Sequence, residues 1–222
     1  MRPVFSLSPL LALFFFASVA SAQFSVQAGV GAGYIWNKAN GQGILSADSP
    51  TNPFGSCAPG AGNPFCLATS GLDATLIRFD GDVMFTKHLG VGGQFDFQPY
   101  RKDYGPLQFR QSFYDFNGIW APFSSKRAVF RLEGGIGGSH TSFYYSQSGC
   151  IGTAVCNSST SSIGSANHFD VHFGAGVMLF LSNHIYVKPQ LDVHYVPGFT
   201  DQFNSNFAPS AMLTIGYGSG DH

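Results

Sequence analysis

From residue 24 onward, apolar and polar side chains alternate with a period of two in eight separate stretches. Successive side chains of a β-strand point to opposite faces, so this alternation predicts amphipathic strands. The predicted strands cover residues 24–36, 72–86, 89–100, 109–121, 128–143, 168–181, 185–196 and 209–217. Turn-forming residues separate them, and no long segment has a helical period. The pattern therefore predicts an all-β protein with eight antiparallel strands.

The alternation alone does not determine which face of the predicted sheet is inside. A soluble barrel or sandwich would turn its apolar face inward and keep its charges in water. Most predicted strands, however, exceed the usual length of about 5–6 residues and suffice for the roughly 9–11 tilted residues that cross a bilayer. Aromatic residues lie near strand ends, where membrane barrels carry aromatic girdles: Tyr34, Trp36, Trp120, Tyr195 and Tyr217. Both features favour an apolar face that points outward into lipid.

The connections between the predicted strands alternate between short and long. The short ones cover residues 86–88, 122–126 and 182–184, and the longer ones cover about 37–71, 101–108, 144–167 and 197–208. Short periplasmic turns and longer outer loops are typical of outer-membrane barrels. Because lipid offers no hydrogen-bond partner to an open sheet edge, the pattern predicts a closed, up-and-down transmembrane β-barrel with four outer loops over residues 23–222.

The last predicted strand contains AMLTIGYG, with Ala211, Leu213, Ile215 and Tyr217 on one face, and GSGDH follows Tyr217. Its pattern is similar to the terminal assembly signal of outer-membrane barrels. The chain thus resembles the small eight-stranded bacterial outer-membrane barrels, such as the transmembrane domain of outer membrane protein A and opacity-type proteins. The resemblance implies location in the bacterial outer membrane, contact with outer-membrane lipid, and insertion by the outer-membrane assembly machinery.

The first 22 residues have the pattern of a signal peptide. Arg2 supplies a positive charge, residues 10–20 form an apolar run, and Ala20-Ser21-Ala22 is a small-residue cleavage site. The apolar run is too short for a membrane-spanning helix, which needs roughly 20 residues. We therefore predict that residues 1–22 are removed and that the mature chain begins at Gln23.

The composition agrees with a barrel that has an apolar surface. Charged residues make up 10% of the chain, against about 25% in ordinary soluble proteins. Among its residues are 28 glycines, which are unfavourable in helices, and 23 phenylalanines, which are favourable in strands. With 11 basic and 12 acidic residues, the balance of charge gives no indication of a nucleic-acid partner.

An outward apolar face places the polar faces of the strands inside the barrel. We predict a polar network in the lumen, formed by Arg78, Asp80, Asp82, Gln94, Asp96, Asp115, Asn117, Arg131, Glu133, His168, Asp170, His172, Lys188, Gln190, Asp192 and His194. His and Asp side chains could also bind a metal, but a hydrogen-bonded network is the favoured interpretation. No metal and no cofactor are predicted.

The short turns predict which strand residues face each other. If residues 86–88 form a three-residue turn, Arg78 lies opposite Asp96, close enough for an ion pair. The turn at 182–184 places His172 opposite His194 in the same way. Pro189 lies inside a predicted strand and removes a ladder hydrogen bond, so we expect a bulge or local water there.

The four cysteines lie in the two longest predicted loops, at Cys57, Cys66, Cys150 and Cys156. In an exported chain they favour two local disulfides, Cys57–Cys66 and Cys150–Cys156, although four cysteines allow three connectivities. A zinc site is the alternative, and no C-x-x-C spacing supports it. We expect these loops to be exposed, mobile and locally cross-linked, because their composition cannot bury enough apolar surface to order them.

Catalysis has one candidate in the sequence. His140 and Ser142 lie near an outer strand end, as a lipid hydrolase would require, but no acidic partner is evident on that face. The glycine clusters at 29–33 and 134–138 match no phosphate-binding motif. We therefore predict that the protein is not an enzyme.

These patterns predict a non-enzymatic outer-membrane barrel that presents surface loops for envelope integrity, adhesion or recognition. The alternative is a narrow porin-like channel or transporter for ions or small solutes. A soluble ligand-carrying barrel would need an apolar interior, contrary to the charged faces of the strands. The extracellular partner of the loops and the oligomeric state do not follow from the sequence.

Overall fold

The computed structural model of the chain describes residues 24–37, 42–71, 73–151, 155–198 and 206–219, with the backbone alone at 148–151 and 155–157. The predicted signal peptide and its cleavage site lie outside the described residues. Among the described residues, none forms a helix that could span a bilayer.

Twelve strands occur in the described chain: β1 (Ser25–Ile35), β2 (Gly43–Leu45), β3 (Ser56–Cys57), β4 (Cys66–Ala68), β5 (Ala74–Met84), β6 (Leu89–Phe97), β7 (Lys102–Tyr104), β8 (Leu107–Ser124), β9 (Ala128–Ile151), β10 (Val155–Phe180), β11 (Ile185–Tyr195) and β12 (Phe207–Ser219). Eight of them form an antiparallel ring in the order β6-β5-β1-β12-β11-β10-β9-β8, closed by pairing of β6 with β8. The predicted eight-stranded up-and-down barrel is confirmed.

The barrel is apolar outside and polar inside over most of its length. Large apolar side chains point outward, and Phe116 on β8 is 77% exposed. Charged side chains point into the lumen, where Arg78 on β5 is 0% exposed. Such a surface would be unstable in water, and a closed ring satisfies the backbone in lipid. The protein is therefore a transmembrane barrel.

The two ends of the barrel differ in their connections. At one end, the turn end, short turns join β5 to β6, β8 to β9 and β10 to β11. The amide of Phe85 donates to the carbonyl of Leu89 at 2.9 Å, and Leu181 donates to Ile185 at 2.9 Å, as the turn count predicts. The opposite end, which we call the hairpin end, carries the longer connections.

The predicted outer loop 144–167 is wrong in most of its length. There β9 and β10 continue as one long hairpin, paired from Val155–Ile151 downward with one irregularity between Ser162 and Gly164. The side chains of 158–167 are all exposed on the hairpin. Apolar and polar residues alternate along a strand only when one of its faces is shielded from water. A strand with water on both faces has no such alternation, because its backbone hydrogen bonds and residues such as Ser, Thr and Tyr are enough to form it.

Two other predicted loops also contain regular structure. In 37–71, β2 pairs with β3 and β4 to form a small sheet, and a disulfide joins Cys57 to Cys66. In 101–108, β7 pairs with β8 through a two-residue turn at Gly105 and Pro106. Gly105 has φ of 60°, a conformation that glycine adopts without strain.

The expected bulge at Pro189 is wrong. β11 pairs with β12 without any shift of register, and Pro189 lies opposite Leu213. On the other side, the described β10–β11 ladder passes from Gly176–Gln190 directly to Leu179–Val187. Proline has no amide proton to donate, so Pro189 interrupts the ladder locally and leaves the register of both strands unchanged.

Candidate functional site

The lumen contains a polar layer, formed by the residues predicted for the polar network. The structure places all of them in buried positions except His168, which is half-buried towards the hairpin end. They come from β5, β6, β8, β9, β10 and β11, whose lumen-facing positions alternate with lipid-facing ones. The strands therefore bring together side chains that are far apart in the sequence.

Arg78 is at the centre of the layer. Its Nε donates to Asp96 Oδ1 at 2.7 Å and its Nη2 to Asp96 Oδ2 at 2.6 Å, a bidentate pair between directly opposed residues. Its Nη1 lies 2.8 Å from Asp192 Oδ2 on the far wall of the barrel. One guanidinium thus neutralises two carboxylates that have no access to water.

Two further cations complete the ion pairs near the turn end. Arg131 pairs with Asp82 at 2.8 Å and donates to Gln27 Oε1 at 2.9 Å. Lys188 is hydrogen bonded to Asp80, and its Nζ lies 3.8 Å from Glu133 Oε1. These contacts cross the lumen, so the interior is held by pairs between strands that are not neighbours in the sheet.

The histidines lie nearer the hairpin end. His172 contacts Asn117 Oδ1 through Nδ1 at 3.0 Å and Asp192 Oδ1 through Nε2 at 3.0 Å. His194 lies opposite His172 and contacts Asp170 Oδ2 through Nδ1 at 2.7 Å. Each ring is therefore oriented by a carboxylate.

One group within the layer has the donor set of a metal site. Ligand atoms of Asp115, Asp170 and His194 all lie within 4.8 Å of one another, and all three residues are buried. Carboxylate and imidazole ligands suit several divalent metals. Asp115 and Asp170 lie in one row, two strands apart, because Gly137 of β9 is the cross-strand partner of both. The prediction that no metal is bound stays a prediction.

Glycines on the lumen face make room for the polar layer. A Cβ on Gly29 of β1 would collide with the Asp80 carboxylate, and a Cβ on Gly174 would lie 2.5 Å from Asp192 Oδ1. The glycines of the 29–33 cluster therefore line the wall of the lumen. In the sequence they occur at every second position, as expected of residues on one face of a strand.

Apolar clusters cover the polar layer at both ends. The hairpin-end cluster consists of Ile35, Ala74, Leu76, Tyr104, Phe109, Phe113, Val196, Ala208 and Met212. The turn-end cluster consists of Met84, Ile119, Ala121, Val129, Met178 and Tyr186. Burial raises the pKa of the Tyr104 hydroxyl, so this side chain remains neutral in the hairpin-end cluster. The alternation along the sequence predicts neither cluster, because both lie on strand faces that are polar elsewhere in the lumen.

A second group of polar residues lies on the outer surface of the barrel. Ser142 Oγ is 2.9 Å from His140 Nε2, and His140 Nδ1 is 2.6 Å from Asn167 Oδ1. Ser142 and His140 belong to β9, and Asn167 lies directly opposite His140 on β10. The sequence indicated the first two residues and missed Asn167, because 144–167 was interpreted as a loop and only acidic partners were considered.

Ser142 and His140 border a cleft of about 360 Å³ on the outside of β6, β8 and β9. It is lined by Phe95, Phe97, Arg110, Gln111, Ser112, His140, Ser142 and Tyr144. Arg110 is cross-strand neighbour to Ser142, and its Nε donates to the carbonyl of Gln98 at 2.8 Å. The cleft thus combines aromatic side chains, a guanidinium and a serine–histidine pair.

No protein-family model matches the chain. No curated protein matches it. Among solved structures, Neisserial surface protein A is similar with a TM-score of 0.50 and 11% identity, over 90% of this chain and 98% of that one. The outer membrane protein OprG of Pseudomonas aeruginosa gives 0.49 and 11%, over 91% and 99%. Ail, the attachment invasion locus protein of Yersinia pestis, gives 0.46 and 12%, over 87% and 99%.

At these identities the likeness concerns the fold. The location follows from the molecule itself, because an apolar exterior of this extent needs lipid around it. Closed antiparallel barrels with short turns at one end are the spanning structures of bacterial outer membranes. The chain is a small eight-stranded barrel of the bacterial outer membrane.

Proposed function

We propose that the protein is a sealed outer-membrane barrel that displays its hairpin end at the cell surface for adhesion or recognition. The sealed interior is the observation that carries this proposal. Arg78, Asp96 and His172 are 0% exposed in the polar layer, and an apolar cluster lies on each side of that layer. An eight-stranded barrel is only just wide enough for its own side chains. The filled lumen favours an anchor over a solute channel.

The hairpin end supplies a surface that could recognise other molecules. The β9–β10 hairpin exposes the side chains of 158–167, and the disulfide between Cys57 and Cys66 closes the small β2–β4 sheet. Elements already held by backbone ladders lose less conformational freedom on binding than flexible loops do. Their order supports a role in contact with external molecules, in addition to any contribution of the barrel to envelope integrity.

The orientation and the route of insertion belong to the same proposal. Short turns of outer-membrane barrels face the periplasm, and this supports an outward orientation of the hairpin end. Leu213, Ile215 and Tyr217 of β12 point outward and are exposed, as expected of a terminal strand that the outer-membrane assembly machinery recognises.

Conductance measurements test the sealed barrel. Purified protein reconstituted in planar bilayers should give no stepwise current, because the polar layer and the two apolar clusters occupy the lumen. A porin added to the same membranes shows that the assay detects channels, and the different gel migration of boiled and unboiled samples shows that the barrel is folded. Reproducible unitary steps would favour the narrow channel instead.

Proteolysis of intact cells tests the orientation. A protease added outside should cut within the exposed 158–167 segment and leave the barrel strands intact. Cleavage that occurs only after the outer membrane is permeabilised would place the hairpin end in the periplasm and contradict surface display.

A further inference from the structure

Three residues on the outer surface form a hydrogen-bond chain that runs from a serine through a histidine to an asparagine. Ser142 Oγ lies within hydrogen-bond distance of His140 Nε2, and the other ring nitrogen of His140 lies within hydrogen-bond distance of Asn167 Oδ1. An asparagine oxygen can only accept, so it fixes the tautomer in which Nδ1 carries the proton. Nε2 then has its lone pair directed at the serine hydroxyl, which is the arrangement of a base and its nucleophile.

The centre lies where the barrel surface changes from apolar to polar. Across β8, β9 and β10, Tyr114, Gly138 and Phe169 form one outward-facing row. The next row towards the hairpin end is Ser112, His140 and Asn167, and the row after that is Arg110, Ser142 and Ser165. Below these rows the exterior is apolar, so the centre lies at the boundary between hydrocarbon and headgroups.

The cleft beside the centre has two chemically different sides. Phe95 and Phe97 extend the apolar belt into it, whereas Arg110 contributes a permanent positive charge next to Ser142. Its volume, about 360 Å³, is within the roughly 300–1,000 Å³ typical of small-ligand pockets. Ser142 itself is 9% exposed, so a reacting group would meet it in a partly desolvated position.

The geometry points to a lipid acyl-ester hydrolase centre on the barrel wall, with Ser142 as nucleophile, His140 as general base and acid, and Asn167 as the positioning residue. Its substrate is a membrane lipid with a fatty-acyl ester near an anionic phosphate group. The acyl chain lies against Phe95 and Phe97, and the phosphate lies near Arg110. A glycerophospholipid and a lipopolysaccharide share this chemistry.

The reaction proceeds through an acyl-enzyme. Ser142 Oγ attacks the ester carbonyl carbon, its proton passes to His140 Nε2, and the bond to the lipid alcohol breaks as the alcohol takes that proton. Water then attacks the acyl-serine carbonyl and gives a proton to Nε2, which returns it to Ser142 Oγ. The net change consumes one ester and one water and releases a fatty acid and an alcohol.

This inference goes beyond surface display, and it revises the prediction that the chain is not an enzyme. That prediction rested on the missing partner of His140, and the β9–β10 register supplies one. The inference holds for either orientation of the hairpin end, because both sides of an outer membrane contain acyl esters. A failure of the surface-display proposal therefore leaves it untouched.

Lipid hydrolysis by the full-length folded protein tests the centre. Protein in detergent is mixed with phosphatidylglycerol micelles in one arm and with lipopolysaccharide in the other, and released fatty acid is measured by mass spectrometry. We expect release in at least one arm, and the arm identifies the lipid source. Ser142→Ala and His140→Ala should lose activity by roughly 10³-fold or more. Ser165→Ala, which removes the hydroxyl directly opposite Ser142 on β10, should keep it.

A covalent probe gives an independent measurement. A fluorophosphonate should label the folded protein at Ser142, as peptide mapping would show, and His140→Ala should prevent the labelling. The gel migration of unboiled samples establishes that each variant is folded. Fatty-acid release that survives in folded Ser142→Ala, or no release from either lipid with folded wild-type protein, would overturn the proposal.

The role of Asn167 requires a measurement that a purely structural role would not change. Asn167→Ala should lower kcat by roughly 10²-fold with little change in KM, since misorientation of the base affects the chemical step. Asn167→Asp should recover much of kcat, and the acidic limb of its pH profile should move to higher pH because a carboxylate favours the charged imidazole. An unchanged pH profile in Asn167→Asp would refute the contact with His140.

Discussion

The same strands present side chains of opposite polarity to the lumen in two regions of the barrel. Within the apolar belt, Phe116 of β8 points outward and Asn117 points into the polar layer. Closer to the hairpin end, Phe113 of the same strand points inward to the hairpin-end cluster and Ser112 points outward. The surroundings account for the difference, because lipid makes the exterior of the belt dry whereas water covers the exterior above it. Apolar side chains therefore go outward in one region and inward in the other.

A substitution in the polar layer should have the largest effect on the stability of the barrel. Arg78→Ala leaves Asp96 and Asp192 buried without their cation, and loss of one partner of a buried ion pair costs about 3–5 kcal/mol. We expect a loss of this size in the free energy of unfolding, measured in urea with the barrel in lipid vesicles. Arg78→Ala combined with Asp96→Ala should destabilise by less than the sum of the single changes. Additive effects would mean that the two side chains are not coupled and that the lumen is hydrated.

The next largest effect on stability should come from a positive charge introduced on the barrel exterior, and its size should depend on whether the charge lies in the apolar belt or on the hairpin. Phe116→Arg places a guanidinium in the apolar belt, where cations cost about 2–4 kcal/mol in membrane barrels. Ser162→Arg, at an exposed position of the β9–β10 hairpin, should cost about 0–1 kcal/mol because water surrounds that side chain. Unfolding in the same vesicles compares the two variants. Equal costs would contradict the boundary between the belt and the hairpin end.

The disulfide at the hairpin end should have the smallest effect on the barrel. Cys57→Ser with Cys66→Ser should change the unfolding free energy by no more than about 0.5 kcal/mol, because the small β2–β4 sheet lies outside the barrel ring. The same variant should be cut faster by protease within 42–71, since the local sheet loses its cross-link. An equally slow cut would show that the backbone ladder alone holds this sheet.

The second predicted disulfide can be examined in the same samples. The backbone register of the hairpin places Cys156 opposite Cys150, and the side chains of both residues lie outside the described part of the chain. Non-reducing peptide mapping should recover Cys150 joined to Cys156. A peptide that joins Cys57 to Cys150 would contradict both local pairings.

The eight barrel strands could be predicted because alternation is local and needs no knowledge of partners. The pair of Arg78 with Asp96 could be predicted because three turn residues determine the register of β5 on β6. The partner of His140 could not, since it depends on the register of a hairpin whose strands have polar residues on both faces. The hairpin-end cluster has a signal in β8, where apolar residues change from the odd positions Phe109 and Phe113 to the even positions Tyr114 and Phe116. A change of parity within one strand indicates where the surrounding solvent changes.

The length of the β9–β10 hairpin has a mechanical consequence. From the boundary row at His140, β9 runs a further eleven residues to Ile151, which at about 3.3 Å per residue is roughly 35 Å of strand. That distance is close to the thickness of the hydrocarbon core itself, about 30 Å. With the hairpin end at the cell surface, as proposed, a force applied to this hairpin is transmitted as shear through successive ladder hydrogen bonds to the barrel rim, next to Ser142 and His140.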